Sequence, residues 1–509
     1  MLFAAVALGH WTLLWLPYFW DEGGYYIPAA LDFYHHGWLV PHYTNAHPPL
    51  PNVVLGSLWH VFGFHILTTR LIVCAVAAAA LLAVVRLTER LLDATAAVCV
   101  TLLTAVYPIV YTQSSLAHAD IFAAALTLWA LALYLPAQAS DEAACLPQPR
   151  ASVAILFSLA ALAKETAIVW PAALATLQLW RVLRHPARRG CNLGWLAALS
   201  APVLPLLAWY AYHHHVTGFT FGNPEYLRYN ATANLTLAHI AQAIRYRFLH
   251  LFWQRNIWLP IVLALATLFL PERSGARALT RSTLSTIALL VVANWLFFSV
   301  LGGALLTRYL LPVYPLELLV CFSLWRARTE LWPIFTVACA AILLSGLWWN
   351  PPTSFAPEDN LTYRDMIVVH QEAIDYVAQH YPEATVLTAW PVSADLFNPF
   401  LGYVTTPIKA HAIEDFTRPE IEKAAQDPGA YDVAIVFTTH YTDPAFRRWL
   451  VAHPYSRRGC EYNATRDLTP GEIALMLGGR IVFEDNRNGE WAAVLHFPRS
   501  YDAQLRPLR

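Results

Sequence analysis

Along the first two thirds of the chain, polar positions are too sparse to mark out a strand or a surface helix. Instead, eleven apolar stretches follow one another, each near the roughly 20 residues that a helix needs to cross a bilayer. They span 2–19, 70–88, 94–111, 119–136, 151–163, 166–183, 193–213, 256–271, 283–301, 308–325 and 331–349. The fifth is short and the sixth follows it at once. No basic residue precedes the first, and Trp15-Leu-Pro-Tyr-Phe-Trp20 is a poor cleavage site, so it reads as a retained helix rather than a signal peptide. Past Asn350-Pro-Pro-Thr-Ser the pattern changes. Ile367, Gln371, Ile374, Val377 and Tyr381 mark one face of a helix. Thr385–Ala389 and Asp432–Phe437 read as buried strands, and Ile481-Val-Phe and Ala492–Phe497 flank Asn488-Gly489, a hairpin signal with a longer loop. The predicted architecture is mainly α: a polytopic membrane bundle of about 11 helices over 1–349, followed by a small exterior α/β domain over 350–509.

Charge sharpens that division. Only 13% of the 509 residues are charged, against about 25% in soluble domains. Residues 1–349 hold 32 of these side chains and residues 350–509 hold 35, so only the second part is charged like a water-soluble domain. A net charge of −1 offers no basic face to a nucleic acid. With the N-terminus inside, the inner loops carry Arg86, Arg90, Arg150, Arg181, Arg184, Arg188, Arg189, Arg273, Arg277, Arg281, Arg326 and Arg328, whereas residues 20–51 hold no Lys or Arg. An odd number of crossings then places 350–509 outside. Five of the seven cysteines lie in or beside apolar stretches, and the exterior part has only Cys460, which excludes a disulfide framework there.

Ionisable groups are costly in a bilayer and usually face a cavity. Once the inner loops are set aside, those that remain gather at the outer face. Asp21-Glu22 follow the first span. They could cap a helix and complement its dipole, but no basic residue nearby neutralises them, which favours a carboxylate that accepts a proton from a hydroxyl or amine. His47-Pro48-Pro49-Leu50 suits a helix start, and a histidine there could equally hydrogen-bond a phosphate. Asp120 opens the fourth span, either tolerated by the helix dipole or acting as a second carboxylate that positions an acceptor or binds a metal. Lys164 and Glu165, at an outer junction, are adjacent and therefore make a poor ion pair with each other. Arg308-Tyr309 stand on the outer side against the charge bias; the arginine either snorkels to headgroups or uses its planar fork on a phosphate. Arg228, Arg245, Arg247 and Arg255 add further outer cations. His213-His214-His215 is a weak metal candidate, because consecutive residues cannot all point at one ion.

Together Trp20-Asp21-Glu22-Gly-Gly-Tyr25-Tyr26, His47-Pro-Pro-Leu50, Asp120 and Arg308-Tyr-Leu-Leu-Pro312 resemble the GT-C class of integral-membrane glycosyltransferases. Within it they look most like the protein O-mannosyltransferases and their bacterial relatives, including the aminoarabinose transferases of lipid A. The resemblance implies a polyprenyl-phosphate sugar as donor, a glycan, lipid or protein as acceptor, and work at the exterior face of a bacterial inner membrane. It implies Asp21 as the base, with Glu22 beside it and Asp120 at the second acidic position. His47 stands where aminoarabinose transferases carry a lysine, as it does in the protein mannosyltransferases. Tyr25, Lys164, Glu165, Arg308 and Tyr309 complete the expected substrate contacts. No cofactor is required by this picture, although Asp21 and Asp120 could share a divalent metal.

Two other classes compete. A lipid-linked-sugar flippase or transporter would show repeated halves and ions near mid-membrane, and the chain has no convincing repeat. A non-catalytic assembly component would tolerate replacement of Asp21.

Overall fold

Small side chains decide how the apolar helices meet. Ala77, Ala80 and Ala83 of the helix Ile66–Leu91 are buried, as are Ala123, Ala124 and Ala130 of the helix Ala119–Ala139, and these two helices pack together. In lipid there is little hydrophobic drive between helices, so close backbone approach over small residues supplies the contact. The helix Arg150–Ala163 packs on Ala119–Ala139 in turn, burying Phe157, Ala160 and Ala161. This computed structural model describes the chain outside residues 41–46, 140–148, 185, 229–234, 302–303, 352–354, 440–447, 451, 454–455, 457–465 and 499–509, so Cys460 lies outside the described residues. The chain forms two units: Met1–Leu14 with Tyr25–Trp349, and Trp15–Gly24 with Asn350–Arg509.

Among the described residues of the first unit, five helical stretches are long and apolar enough to cross a membrane: Ile66–Leu91, Ala119–Pro136, Glu165–Arg184, Arg189–Thr217 and Arg281–Leu301. Leu50–Phe62, Ala94–Val106, Arg150–Ala163, Trp258–Thr267 and Trp332–Ser345 are shorter apolar helices. Four details differ from the apolar pattern. The stretch 94–111 is two helices, Ala94–Val106 and Pro108–Gln113, parted by the extended Tyr107. The stretch 2–19 is an eight-residue helix, Leu2–Gly9, followed by a 3-10 turn over Trp11–Leu13; Pro17 cannot continue a helix, and Trp15–Gly24 folds with the second unit. The stretch 308–325 is broken into a 3-10 turn, Thr307–Leu310, and a helix, Val313–Arg328, with Pro312 between them. Leu50–Phe62 is helical although no span was expected there; Pro51 suits its first turn and Gly63, at φ 81°, ends it.

The expected inner-loop arginines knit helix ends. Arg326 reaches Asp93 at 2.6 Å, and Asp93 also caps Ala94–Val106 by accepting the Ala96 N–H at 3.0 Å. Arg277 donates to the Leu92 carbonyl at 3.0 Å, Arg328 pairs with Glu272 at 2.7 Å, and Arg273 pairs with Glu330.

The second unit is built on a five-stranded sheet: β1 (Val386–Ala389), β2 (Ala410–Ile413), β3 (Val433–Phe437), β4 (Arg480–Arg487) and β5 (Glu490–His496), in the order β2-β1-β3-β5-β4. The first three run parallel, and β5 is antiparallel to both β3 and β4. Every residue of β1 and β3 is buried, as their uninterrupted apolar runs require of central strands. The helix Thr362–His380 lays Met366, Ile367, Ile374 and Val377 inside and packs on β4 and β5. The hairpin turn is only two residues, not a longer loop. Asn488 and Gly489 both have positive φ, 52° and 94°, the geometry whose twist matches that of paired strands, so β4 and β5 run right up to it.

Candidate active site

At the end of the bundle opposite in chain direction to the arginine clusters, four helix termini bring polar groups together. Asp120 lies in the first turn of Ala119–Ala139, and Lys164 closes Arg150–Ala163 with an extended backbone. Arg308 sits in the 3-10 turn before Val313–Arg328, and His47 precedes Leu50–Phe62. Pro48 follows His47 directly and disfavours helical geometry there.

Asp120 is the hub. Lys164 Nζ donates to its Oδ1 at 2.7 Å and Arg308 Nε stands 3.5 Å from its Oδ2, with all three side chains at most 5% exposed. One carboxylate between two cations leaves a net positive charge. Lys164 Nζ also lies 4.1 Å from the centre of the Tyr309 ring, a cation–π contact. Glu165 turns the other way, and His47 Nδ1 donates to its two oxygens at 2.9 and 3.0 Å. The adjacent lysine and glutamate thus serve different partners, Lys164 with an extended backbone at the helix end and Glu165 at the start of the 3-10 turn Glu165–Ile168.

Beside this cluster opens a cavity of about 500 Å³. His47, Lys164, Glu165 and Tyr309 supply its polar wall, while Leu206, Trp209, Phe221, Leu235, Phe297 and Leu301 make the remainder strongly apolar.

Six of the nine candidate residues, Asp120, His47, Lys164, Glu165, Arg308 and Tyr309, therefore share one neighbourhood. Asp21 and Glu22 fold with the second unit. Glu22 is fully buried and accepts the backbone N–H of Phe19 at 2.8 Å; Asp21 is partly exposed. Tyr25 is half-buried within the π-helical turn Glu22–Tyr26. Among the described residues, no three His, Cys, Asp or Glu side chains stand together as a metal site. His213 spends its Nδ1 hydrogen on the Phe219 carbonyl at 2.6 Å.

Three further residues join this neighbourhood; Arg247 is among the outer cations that the sequence offers, whereas Arg70 and His118 are not among its candidates. Arg247, completely buried on the helix Leu237–Phe252, donates to the carbonyls of Leu306 at 2.5 Å and Ala304 at 3.2 Å, and its guanidinium lies 5.4 Å from the Tyr309 ring. It fixes the segment that leads into Arg308-Tyr309, with the tyrosine ring in contact with two cations. In sequence it was one of four equivalent outer arginines. Arg70, buried near the start of Ile66–Leu91, donates to the Ser115 carbonyl at 2.7 Å. His118, also buried, feels the charges of Arg308, Lys164, Arg70 and His47. Its position two residues before Asp120 was the available signal.

A membrane helical bundle with a polar cluster at one set of helix ends, carrying a small α/β unit, is the fold of the GT-C class of glycosyltransferases, and this chain is a multi-pass membrane protein of that fold. Residues 46–209 match the family model described as dolichyl-phosphate-mannose-protein mannosyltransferase. Among solved structures, ArnT from Cupriavidus metallidurans bound to undecaprenyl phosphate superimposes with a TM-score of 0.55 at 14% identity, over 97% of each chain. The same protein in the apo state gives 0.50 at 16% identity, again over 97% of each chain. The Archaeoglobus fulgidus oligosaccharyltransferase with zinc and sulfate gives 0.46 at 11% identity, over 94% of this chain and 69% of that one. No curated protein matches the sequence.

Proposed function

We propose that this protein is a glycosyltransferase that moves a sugar from a polyprenyl-phosphate donor to a hydroxyl or amine of a glycan, lipid or protein. The observation that carries this reading is the amphipathic cavity. Its apolar walls suit a prenyl chain entering from the bilayer, and its polar wall adjoins the Asp120–Lys164–Arg308 cluster with its surplus positive charge. Hydrocarbon joined to phosphate is the chemistry that such a surface recognises. The undecaprenyl phosphate bound in the ArnT structure of the same fold supports it.

In the proposed reaction the acceptor oxygen or nitrogen bonds to the anomeric carbon as the bond to the phosphate oxygen breaks, which inverts the anomeric centre. The electron pair leaves with polyprenyl phosphate, whose growing charge Lys164 and Arg308 stabilise. Asp21, the carboxylate of the first-loop motif, takes the acceptor proton. The arginine-rich helix ends support an orientation with that side cytoplasmic, the reaction on the exterior side, and a bacterial inner membrane as the site of action.

Purified protein in lipid discs, given a radiolabelled polyprenyl-phosphate sugar and a mixed acceptor fraction, tests the reading. Label should pass to acceptor with wild-type protein and with Asp375→Asn, an exposed exterior control, but not with Asp21→Asn. Donor crossing vesicle membranes without transfer would show a flippase instead.

A further inference from the structure

Trp390 leaves the carboxyl end of β1, the strand of the second unit that lies between β2 and β3. Its indole meets the Trp20 ring edge-on, with centroids 4.8 Å apart and planes at 78°. It also lies against the backbone of Gly24: a Cβ there would stand 2.9 Å from Trp390 Cζ2, so a methyl group would push the indole aside. One side chain thus touches both ends of the stretch Trp20–Gly24, and Asp21 lies between the two contacts. Within that stretch the backbone turns sharply. Trp20 has φ 41°, in the left-handed region that a bulky residue occupies only where its surroundings impose it. Glu22 N–H donates to the Phe19 carbonyl at 2.8 Å and Gly24 N–H to that of Trp20 at 2.9 Å, while the Glu22 carboxylate accepts the Phe19 N–H at 2.8 Å. The approach to the turn is held as well: Tyr18 N–H donates to the Leu401 carbonyl at 3.0 Å, and the Phe19 ring meets that of Tyr363 edge-on at 5.6 Å.

Resting on the reading of Asp21 as the base, we infer that Trp390 is a positioning residue: lodged against the Trp20 ring and the Gly24 backbone, it fixes the turn that aims the Asp21 carboxylate at the acceptor. The direction in which Asp21 leaves the chain follows from the Trp20 backbone just before it, and without the indole that backbone is free to relax to negative φ. The second unit then serves the reaction as a clamp on the first-loop motif, and a side chain at Gly24 would displace that clamp. A general base works only within hydrogen-bond reach of the proton it takes. A relaxed turn therefore costs rate, not donor binding.

The test uses the full chain in lipid discs. It combines amide exchange over residues 18–24, transfer from the radiolabelled polyprenyl-phosphate sugar to the mixed acceptor fraction, and titration with undecaprenyl phosphate. Trp390→Ala should speed exchange at the Glu22 and Gly24 amides. It should also lower the transfer rate at saturating donor on the order of a hundredfold, the cost of a misplacement of about 1 Å, with the KM for donor and the affinity for undecaprenyl phosphate unchanged. Trp390→Phe should keep part of the rate. Gly24→Ala, which leaves the sheet untouched, should slow transfer in the same way, and Gly24→Ala with Trp390→Phe should be faster than Gly24→Ala alone, since the shorter ring makes room for the methyl. Wild-type exchange in Trp390→Ala, or faster exchange with a wild-type rate, would overturn the proposal and leave the reading of Asp21 standing. So would equal losses of transfer and of undecaprenyl phosphate affinity, which mark a merely structural role. Where Trp390→Ala loosens the whole sheet, the two Gly24→Ala proteins decide: a wild-type rate in the single variant, or no recovery in the double, overturns the proposal. Asp21→Asn protein that still transfers label would overturn the reading of Asp21 as the base, and this proposal with it.

Discussion

Replacing Asp120 by asparagine tests the central electrostatic arrangement, because it removes charge with almost no change of shape. At an effective dielectric of about 20, the 2.7 Å contact with Lys164 is worth roughly 6 kcal/mol of Coulomb attraction and the 3.5 Å contact with Arg308 roughly 5 kcal/mol. Most of that offsets the cost of taking three charges out of water, so these figures describe the gross attraction. The variant keeps the desolvation of two buried cations and adds their mutual repulsion, an uncompensated state that costs about 3–5 kcal/mol. Lys164→Met alone should cost less, since Asp120 still has Arg308. The informative comparison is the double variant, Asp120→Asn with Lys164→Met. One buried cation then remains instead of two, so the pair should be more stable than Asp120→Asn alone, with a coupling on the order of 2 kcal/mol. Thermal unfolding of the four proteins in one detergent, followed by the loss of the intact species on size exclusion, gives the ordering directly. Additive losses, or an Asp120→Asn protein as stable as wild type, would refute the idea that this carboxylate holds two cations together.

Three further outcomes are expected. Arg247→Gln, which strips the support from the Ala304 and Leu306 carbonyls, should loosen the Arg308-Tyr309 turn and lower affinity for undecaprenyl phosphate several-fold, read by titrating that lipid into the protein in lipid discs. Burial, with the charge of Asp365 adding to it, pushes the Glu490 carboxyl up to about 8; the folded state then binds a proton that the unfolded state releases above its ordinary value near 4.5, so the second unit should lose stability as pH rises from there through about 8. Glu490→Gln should flatten that slope in pH-dependent unfolding followed by amide exchange of the sheet; an unchanged slope would reject the assignment. Glu472 runs the opposite way: hydrogen bonds from Arg466 hold it down at about 2, so its contribution is complete above about 4.5 and is lost as pH falls towards 2, and Glu472→Gln should remove this acid sensitivity.

The candidate site was legible in its members more than in its connections. Lys164, Glu165, Asp120 and Arg308 stood out because a chain so short of charge rarely places an ionisable group beside an apolar run without use for it. Their pairings were not legible: Lys164 meets Asp120 across 44 residues and His47 meets Glu165 across 118. Arg70 was lost at the edge of an apolar stretch, and Arg247 among equals, because hydropathy carries no information about which carbonyls a cation will find. In the second unit the buried runs of β1 and β3 were readable, whereas β2 was not. Its residues alternate between exposed and half-exposed at the sheet edge, with little apolar signal to set against a loop.

What the sequence determined by itself was a membrane helical bundle joined to a small α/β unit, since length of apolar run and density of charge separate the two along the chain. Bilayer thickness and the cost of burying charge act locally, residue by residue, and so can be read in order along the chain. Tertiary structure alone decided that Trp15–Gly24 folds with residues 350–509, that the stretch at 2–19 stops after Gly9, and which carboxylate each cation would face. Those outcomes depend on where distant helix ends arrive in space, and there a few ångströms settle whether a buried charge is matched or stranded.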